Sequence, residues 1–279
     1  MPYDPILNVG DGLAARSRGE GEGVMWVHPY ALDSSCWTEL WDLMPGWRHV
    51  AVDLPGHGLS LPVSPTADLA AVARQLNAVA ARYEVRHLVG LSFGTFVALQ
   101  MALEAKPEYA TLALGSPLIE HGTNDELFWK RYREMVTMYM MAGHGDHLRG
   151  RLTLVEPSLF EGLMAREEIR QKIYDIVGRH SFADLAYAGI QRWGSHPQSD
   201  VGLHRLRSSV LLIEGGSDGV ASKRYAQRLA RTFRDCHSVE LAGAGAHSLL
   251  EQPERAAAAV DAHLRGSRPT PAATPGGAA

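Results

Sequence analysis

Residues Val89–Thr95 read VGLSFGT. A serine stands between two glycines, at the end of an apolar run (HLVGLS, 87–92) and at the start of a second one, Phe93 to Lys106. The first run reads as a strand buried on both faces. The second is apolar nearly all round until Pro107, as a helix packed between other elements should be. A residue at such a junction must turn sharply from strand to helix, which strains its φ/ψ and crowds the positions two before and two after it. Gly90 and Gly94 occupy those positions and carry no Cβ to clash. The helix start also points N–H groups and the positive end of its dipole toward the turn. Ser92 is therefore read as a nucleophile held at the C-terminal edge of a parallel sheet, where open α/β folds bind ligands. An ordinary Gly/Ser turn is the plainer alternative; the strand before and the helix after favour the nucleophile.

Working outward, five more runs end in Gly, Pro or Ser: GVMWVHP (23–29), HVAVDLPG (49–56), ATLALGS (110–116), SVLLIEGG (209–216) and HSVELAGAG (237–245). Earlier, ILNVG and LAARSRG read as an antiparallel pair. Between the runs the period lengthens. Leu69, Val72, Ala73, Leu76, Val79, Ala80 and Tyr83 recur at helical spacing, with Thr66 placed as cap. Pro253 to Arg265 reads as a last helix, with proline in its first turn and Gly266 beyond its end. Alternating strands and helices predict an α/β fold: a mostly parallel sheet of about eight strands with helices on both faces. From Leu118 to Arg207 the chain runs about 90 residues before the next buried strand, far beyond an ordinary loop. That stretch is rich in Met and aromatic residues and reads as an inserted helical cap over 118–207. Residues 1–117 and 208–266 then form the core, and 267–279 a disordered tail.

Composition excludes several classes. A net charge of −4 over 279 residues leaves no basic footprint for nucleic acid and no polybasic segment for a membrane surface. No apolar run approaches the roughly 20 residues of a membrane span, and the first residues show no basic and apolar pattern of a secretory signal. Cys36 and Cys236 are too few for a disulfide framework or a cysteine metal site. A cytoplasmic enzyme is expected, monomeric or homodimeric, acting on a small molecule, with no nucleic-acid or membrane partner.

A serine hydroxyl needs a base. AGAGAHSLLEQPE (242–254) places His247 in a Gly/Ala-rich loop between the last strand and the last helix, on the same sheet edge as Ser92. A surface-loop or helix-capping histidine is the alternative. The base in turn needs a carboxylate to hold its tautomer. LLIEGGSDGVAS (211–222) puts Asp218 just past a buried strand; a turn aspartate bonding its own backbone is the bland reading. Chain order favours the catalytic one, since Ser92, Asp218, His247 follow the order Ser, Asp, His of a known triad arrangement. Glu214 is a local rival but belongs to the strand itself.

With these motifs in place, the chain resembles an α/β-hydrolase of the esterase and enol-lactonase type from about Leu13 to Arg265. WVHPYALDSSCW (26–37) is similar to the family's loop carrying one oxyanion donor, and DLPGHGLS (53–60) to its D-x-x-G-x-G-x-S turn. AHSLLEQPE is similar to its histidine loop. The resemblance implies an oxyanion hole from the backbone N–H groups of Tyr30 and Phe93. Pro29 departs from the usual glycine; the implied donor lies on the next residue, so the hole survives, with a stiffer loop. No cofactor and no metal are implied. His28 is read as bracing the oxyanion loop, and His57 and Asp53 as scaffold of the neighbouring turn. His144 and His147 are read as a solvated loop. Tyr30, Phe128, Tyr132, Met135 and Tyr139 are candidate pocket residues.

The expected activity is a serine hydrolase cleaving a small, largely apolar ester, thioester or lactone through an acyl-enzyme on Ser92. Acyl transfer or acyl elimination by the same triad is the alternative, and a non-catalytic ligand-binding homologue a further one.

Overall fold

A computed structural model of the chain describes residues 5–62, 68–117, 167–180, 202–217 and 220–266. Eight strands form one sheet: β1 (Ile6–Gly10), β2 (Leu13–Arg18), β3 (Glu22–Val27), β4 (Trp47–Val52), β5 (Val85–Leu91), β6 (Thr111–Gly115), β7 (Ser209–Gly215) and β8 (Cys236–Leu241). Their spatial order is β1-β2-β4-β3-β5-β6-β7-β8. β2 runs antiparallel to both β1 and β4, and every later pairing is parallel. From β3 the chain passes to β4 on one side and then to β5 on the other. The crevice at the C-terminal ends of β3 and β5 is thus a topological switch point, the place where open α/β sheets bind ligands.

Strand alternation divides the core between the two faces. Val24 and Trp26 of β3 and Val89 and Leu91 of β5 point into one apolar layer, with Trp37, Leu40 and Trp41. Met25, Val27 and Leu88 point into the other. The first layer is covered by α1 (Thr38–Leu43), α4 (Glu167–Val177) and α7 (Pro253–Leu264). The second is covered by α2 (Leu69–Arg82), α3 (Phe93–Glu104) and α5 (Val220–Thr232). A sheet buried on both faces explains why its central strands read as unbroken apolar runs.

Two helix ends differ from the sequence expectation. The cap of α2 is Asp68, whose carboxylate accepts the Ala71 N–H at 2.7 Å; Thr66 lies outside the described residues. The N-cap must directly precede the first helical residue, and here that residue is Leu69. α3 stops at Glu104 rather than at Lys106, with Ala105 already extended. The residue before a proline is pushed out of the α region, so Pro107 ends the helix early.

Of the expected cap, residues 118–166 and 181–201 lie outside the described residues, as do His144 and His147 and the tail 267–279. The described parts are α4 with the residues to His180, and residues 202–207, where Leu203 and Leu206 are buried in the second layer. Ile169, Ile173, Ile176 and Val177 recur at helical spacing and are buried in the same layer as Trp37 and Leu40. Past its end, His180 donates from Nδ1 to Ile176 O (2.9 Å) and accepts the Gly58 N–H at Nε2 (2.9 Å), tying α4 to the turn after β4. Among the described residues no helix is long and apolar enough to cross a membrane.

Several buried histidines are held neutral. His49 accepts the Trp26 indole N–H at Nδ1 (3.1 Å) and lies 2.9 Å from Met44 O through Nε2, with its ring stacked on Trp41. Burial pushes its pKa down to about 4. His263, facing Leu112 O, is likewise pushed to about 4 by burial and by His237. In both the folded pKa lies below the unfolded one, so their stabilising contribution is present above pH 6.5 and is lost as pH falls from 6.5 through 4. Together they should remove at least about 3 kcal/mol of unfolding free energy between about pH 6.5 and pH 5, with His28, His57 and His247 acting in the same direction. Urea denaturation across that range measures it, and a flat profile contradicts it.

Candidate active site

Ser92 sits between β5 and α3 with φ 53° and ψ −119°, a conformation that costs a non-glycine residue free energy. Its N–H donates to Gly115 O at 2.8 Å, and its carbonyl accepts the Thr95 N–H at 3.0 Å and the Thr95 hydroxyl at 2.6 Å. The hydroxyl makes no capping bond to the helix that it starts, although serine at this position ordinarily does so. The glycines act as the spacing requires. A Cβ on Gly90 would lie 2.7 Å from Gly94 O, and one on Gly94 would lie 2.1 Å from Val27 O.

That contact brings α3 against the loop that follows β3. There Leu32 N–H donates to Pro29 O (3.3 Å), closing a turn in which Ala31 has φ 63°. The rings of Tyr30 and Phe93 meet edge to face, centroids 6.2 Å apart, so the two residues expected to supply oxyanion donors come from touching segments. Asp53 holds the loop from below. One of its oxygens accepts the Ser34 N–H (2.8 Å) and the other the Leu59 N–H (2.9 Å), which is the scaffold role expected of it. His57 is buried beneath Tyr30, its ring 5.4 Å from the tyrosine ring and 5.2 Å from His28.

His247 follows β8 and immediately precedes the short helix α6 (Ser248–Glu251). It is buried, and burial pushes its pKa down to about 4, so the ring is neutral at pH 7. Hydrogen bonds tie this loop to the Ser92 edge. Gly115, which receives the Ser92 N–H, is followed by Ser116, whose hydroxyl lies 2.8 Å from Ser248 Oγ and 3.2 Å from Gly245 O. Asp218 lies outside the described residues, as do Phe128, Tyr132, Met135 and Tyr139. The residue before Asp218 is described: Ser217 N–H donates to Ala244 O at 2.8 Å, three residues from His247. A Cβ on Gly215 would lie 2.4 Å from Gly245 O, so the loops leaving β7 and β8 are pressed backbone to backbone. Glu214 belongs to β7, and burial raises its pKa.

With this geometry as background, residues 24–259 match the alpha/beta hydrolase family. The chain belongs to that family. A thermophilic esterase from Thermogutta terrifontis shares this α/β-hydrolase fold with TM-score 0.76 and 24% identity, covering 91% of this chain and 93% of the other. The dihydrolipoyllysine-residue acetyltransferase component of the acetoin cleaving system of Cupriavidus necator is 30% identical over 225 residues, 76% of this chain. The chain spans 56% of that relative's length. A 2-succinyl-6-hydroxy-2,4-cyclohexadiene-1-carboxylate synthase of Klebsiella pneumoniae is 24% identical over 80% of this chain and 87% of its own length.

One residue of this α/β-hydrolase site was not singled out by the sequence. Glu251 is buried, and its two carboxylate oxygens accept the Gly245 N–H (2.8 Å) and the His247 N–H (3.0 Å). The His247 carbonyl in turn accepts from Leu250 N–H and Glu251 N–H. The backbone of His247 is therefore clamped on both sides. The signal was a glutamate four residues past the histidine, reaching back to the helix start much as a capping box does. Among the described residues no group of His, Cys, Asp and Glu could hold a metal ion.

Glu251→Ala orphans two buried N–H groups, each costing about 1–3 kcal/mol, and should lower the unfolding free energy by about 2–6 kcal/mol. Glu251→Gln keeps an acceptor and should lose about half as much. Urea titration of both checks this; an alanine variant within about 0.5 kcal/mol of wild type, the range of an ordinary surface change, contradicts it.

Proposed function

We propose that the protein is a serine hydrolase acting on a small, largely apolar ester, thioester or lactone. The observation that carries this reading is Ser92 itself: a buried serine, strained at the C-terminal edge of the sheet, whose hydroxyl is not spent on capping α3. His247 takes the Ser92 proton as Oγ attacks the substrate carbonyl, while the amides of Tyr30 and Phe93 hold the oxyanion. His247 then gives that proton to the leaving oxygen or sulfur as its bond to the acyl carbon breaks. Water, losing a proton to His247, attacks the acyl carbon; the bond to Ser92 Oγ then breaks, Oγ takes that proton from His247, and the acid is released. Asp218 holds the imidazole in the required tautomer. A ring neutral at pH 7 is ready to accept the proton without prior deprotonation. The edge-to-face pair of Tyr30 and Phe93 supports an apolar acyl group, with Phe128, Tyr132, Met135 and Tyr139 proposed as further lining.

A second reading has its own support. One relative is named a synthase and another an acetyltransferase component. Acyl transfer or elimination would use the same Ser92, His247 and Asp218 with water replaced as acceptor.

Both are tested on esters, thioesters and lactones of graded acyl length, with the reaction run in oxygen-18 water. Hydrolysis through Ser92 predicts one solvent oxygen in the acid, and a loss of at least about 10,000-fold in Ser92→Ala with the fold retained. Unchanged turnover in Ser92→Ala overturns the assignment. Acyl product without solvent oxygen favours the second reading.

A further inference from the structure

We propose that Ser116 is a positioning residue that holds His247 at a fixed place relative to Ser92; the inference rests on the nucleophile and base roles given to those two residues above. Ser116 is the first residue past β6, as Ser92 is the first past the neighbouring β5. Both are buried, and both have positive φ, 40° at Ser116 and 53° at Ser92. That region of backbone is costly for a residue with a Cβ, whereas glycine enters it freely. The strain at Ser116 brings a hydroxyl to this point, and the partners of that hydroxyl reveal its role.

The backbone here is locked on both sides. The carbonyl of Gly115 accepts the Ser92 N–H at 2.8 Å, and the Ser116 N–H, at the other edge of the same peptide, donates to Ile213 O at 2.7 Å. A peptide is planar, so the two bonds fix its plane between Ser92 and β7, the strand that leads toward Asp218. A Cβ on Gly115 would lie 2.1 Å from Leu249 Cδ1, so α6 is seated directly on this peptide.

The side chain then meets the histidine loop at two points. Ser116 Oγ lies 3.2 Å from Gly245 O and 2.8 Å from Ser248 Oγ. A carbonyl only accepts and a hydroxyl has one proton, so Ser116 donates to Gly245 and Ser248 donates to Ser116. One oxygen thus joins the residue two before His247 to the residue directly after it. Hydrogen bonds chained in this way strengthen one another. Glu251 clamps the backbone of His247 within its own loop. Ser116 ties that loop to the strand end on which the Ser92 N–H is fixed. Proton transfer from Ser92 to His247 depends on their separation, and a misplacement of about 1 Å can cost roughly 100-fold in rate.

The positive φ makes it possible to separate positioning from support. Ser116→Gly removes both side-chain bonds yet relieves the backbone strain, so its Tm should stay within about 4 °C of wild type. On a short ester its kcat should fall by about 10- to 100-fold, with KM unchanged. Its rate of labelling by a fluorophosphonate should fall in parallel, since both report attack by Ser92. Ser248→Ala removes one of the two bonds and should lower kcat by about 2- to 10-fold. Added to Ser116→Gly it should lower kcat no further, because its partner is already gone. In every variant kcat is expressed per site labelled at saturation, so that loss of folded protein does not pass for loss of positioning.

Wild-type kcat per site in Ser116→Gly overturns the proposal. So does a double variant whose loss is the product of the two single losses. Should Ser116→Gly fail to fold, Ser248→Ala decides: a lower kcat at unchanged KM supports the proposal, and a wild-type kcat overturns it. Ser92→Ala is the control. Full activity in that variant removes the reading of the site and this inference with it, whereas an inactive Ser92→Ala beside an unaffected Ser116→Gly removes the inference alone.

Discussion

Where α3 meets the end of β3 there is room for backbone and nothing else. A Cβ on Gly94 would sit 2.1 Å from Val27 O and 2.8 Å from His28 O. This backbone-on-backbone contact sets how far α3 approaches the sheet. It also sets the turn that Ser92 must make, at φ 53°. Strain of this kind persists only when the surroundings over-determine it. Here the surroundings are the Ser92 N–H locked to Gly115 O, the Ser92 carbonyl locked to Thr95, and a helix buried along almost its whole length.

The loops around this turn are held by buried polar groups rather than by side-chain packing alone. Asp53 ties the loop after β3 to the turn after β4 through two backbone amides. His28 joins the same two segments, and Glu251 gathers the loop after β8. Ser116 and Ser217 link that loop to the ends of β6 and β7. Ser217 acts through its own backbone N–H, whereas Asp53, His28, Glu251 and the Ser116 hydroxyl answer backbone groups with side-chain atoms, and a buried backbone group left without a partner costs more than an average hydrogen bond gains. The result is a set of irregular segments on a rigid sheet edge, pre-organised without a regular element of their own. Such pre-organisation is what an acyl-transfer site needs, because donors already in place require no rearrangement as charge develops.

Much of this was legible in the sequence, for identifiable reasons. β3, β5, β6 and β7 are buried on both faces and therefore read as unbroken apolar runs; β8, at the sheet edge, is only half-buried and gives a weaker pattern. The glycines around Ser92 were legible because the turn leaves no alternative at those positions. Asp68 was missed as the cap of α2 because Thr66 and Asp68 are both good caps, and only the true start of the helix separates them. Glu251 was missed because its partners are backbone amides, which no side-chain pattern encodes. The bracing role of His28 was legible from its motif, but its partner, the Leu54 N–H, lies 26 residues away.

On the function proposed above, the fold makes one serine hydroxyl reactive at neutral pH. The direct measurement treats native protein with a fluorophosphonate probe at pH 7 and maps the adduct by peptide mass spectrometry, with urea-unfolded protein in parallel. A single adduct on Ser92 is expected in the native protein and none after unfolding. An adduct on another residue, or equal labelling of the native and unfolded chains, would contradict it.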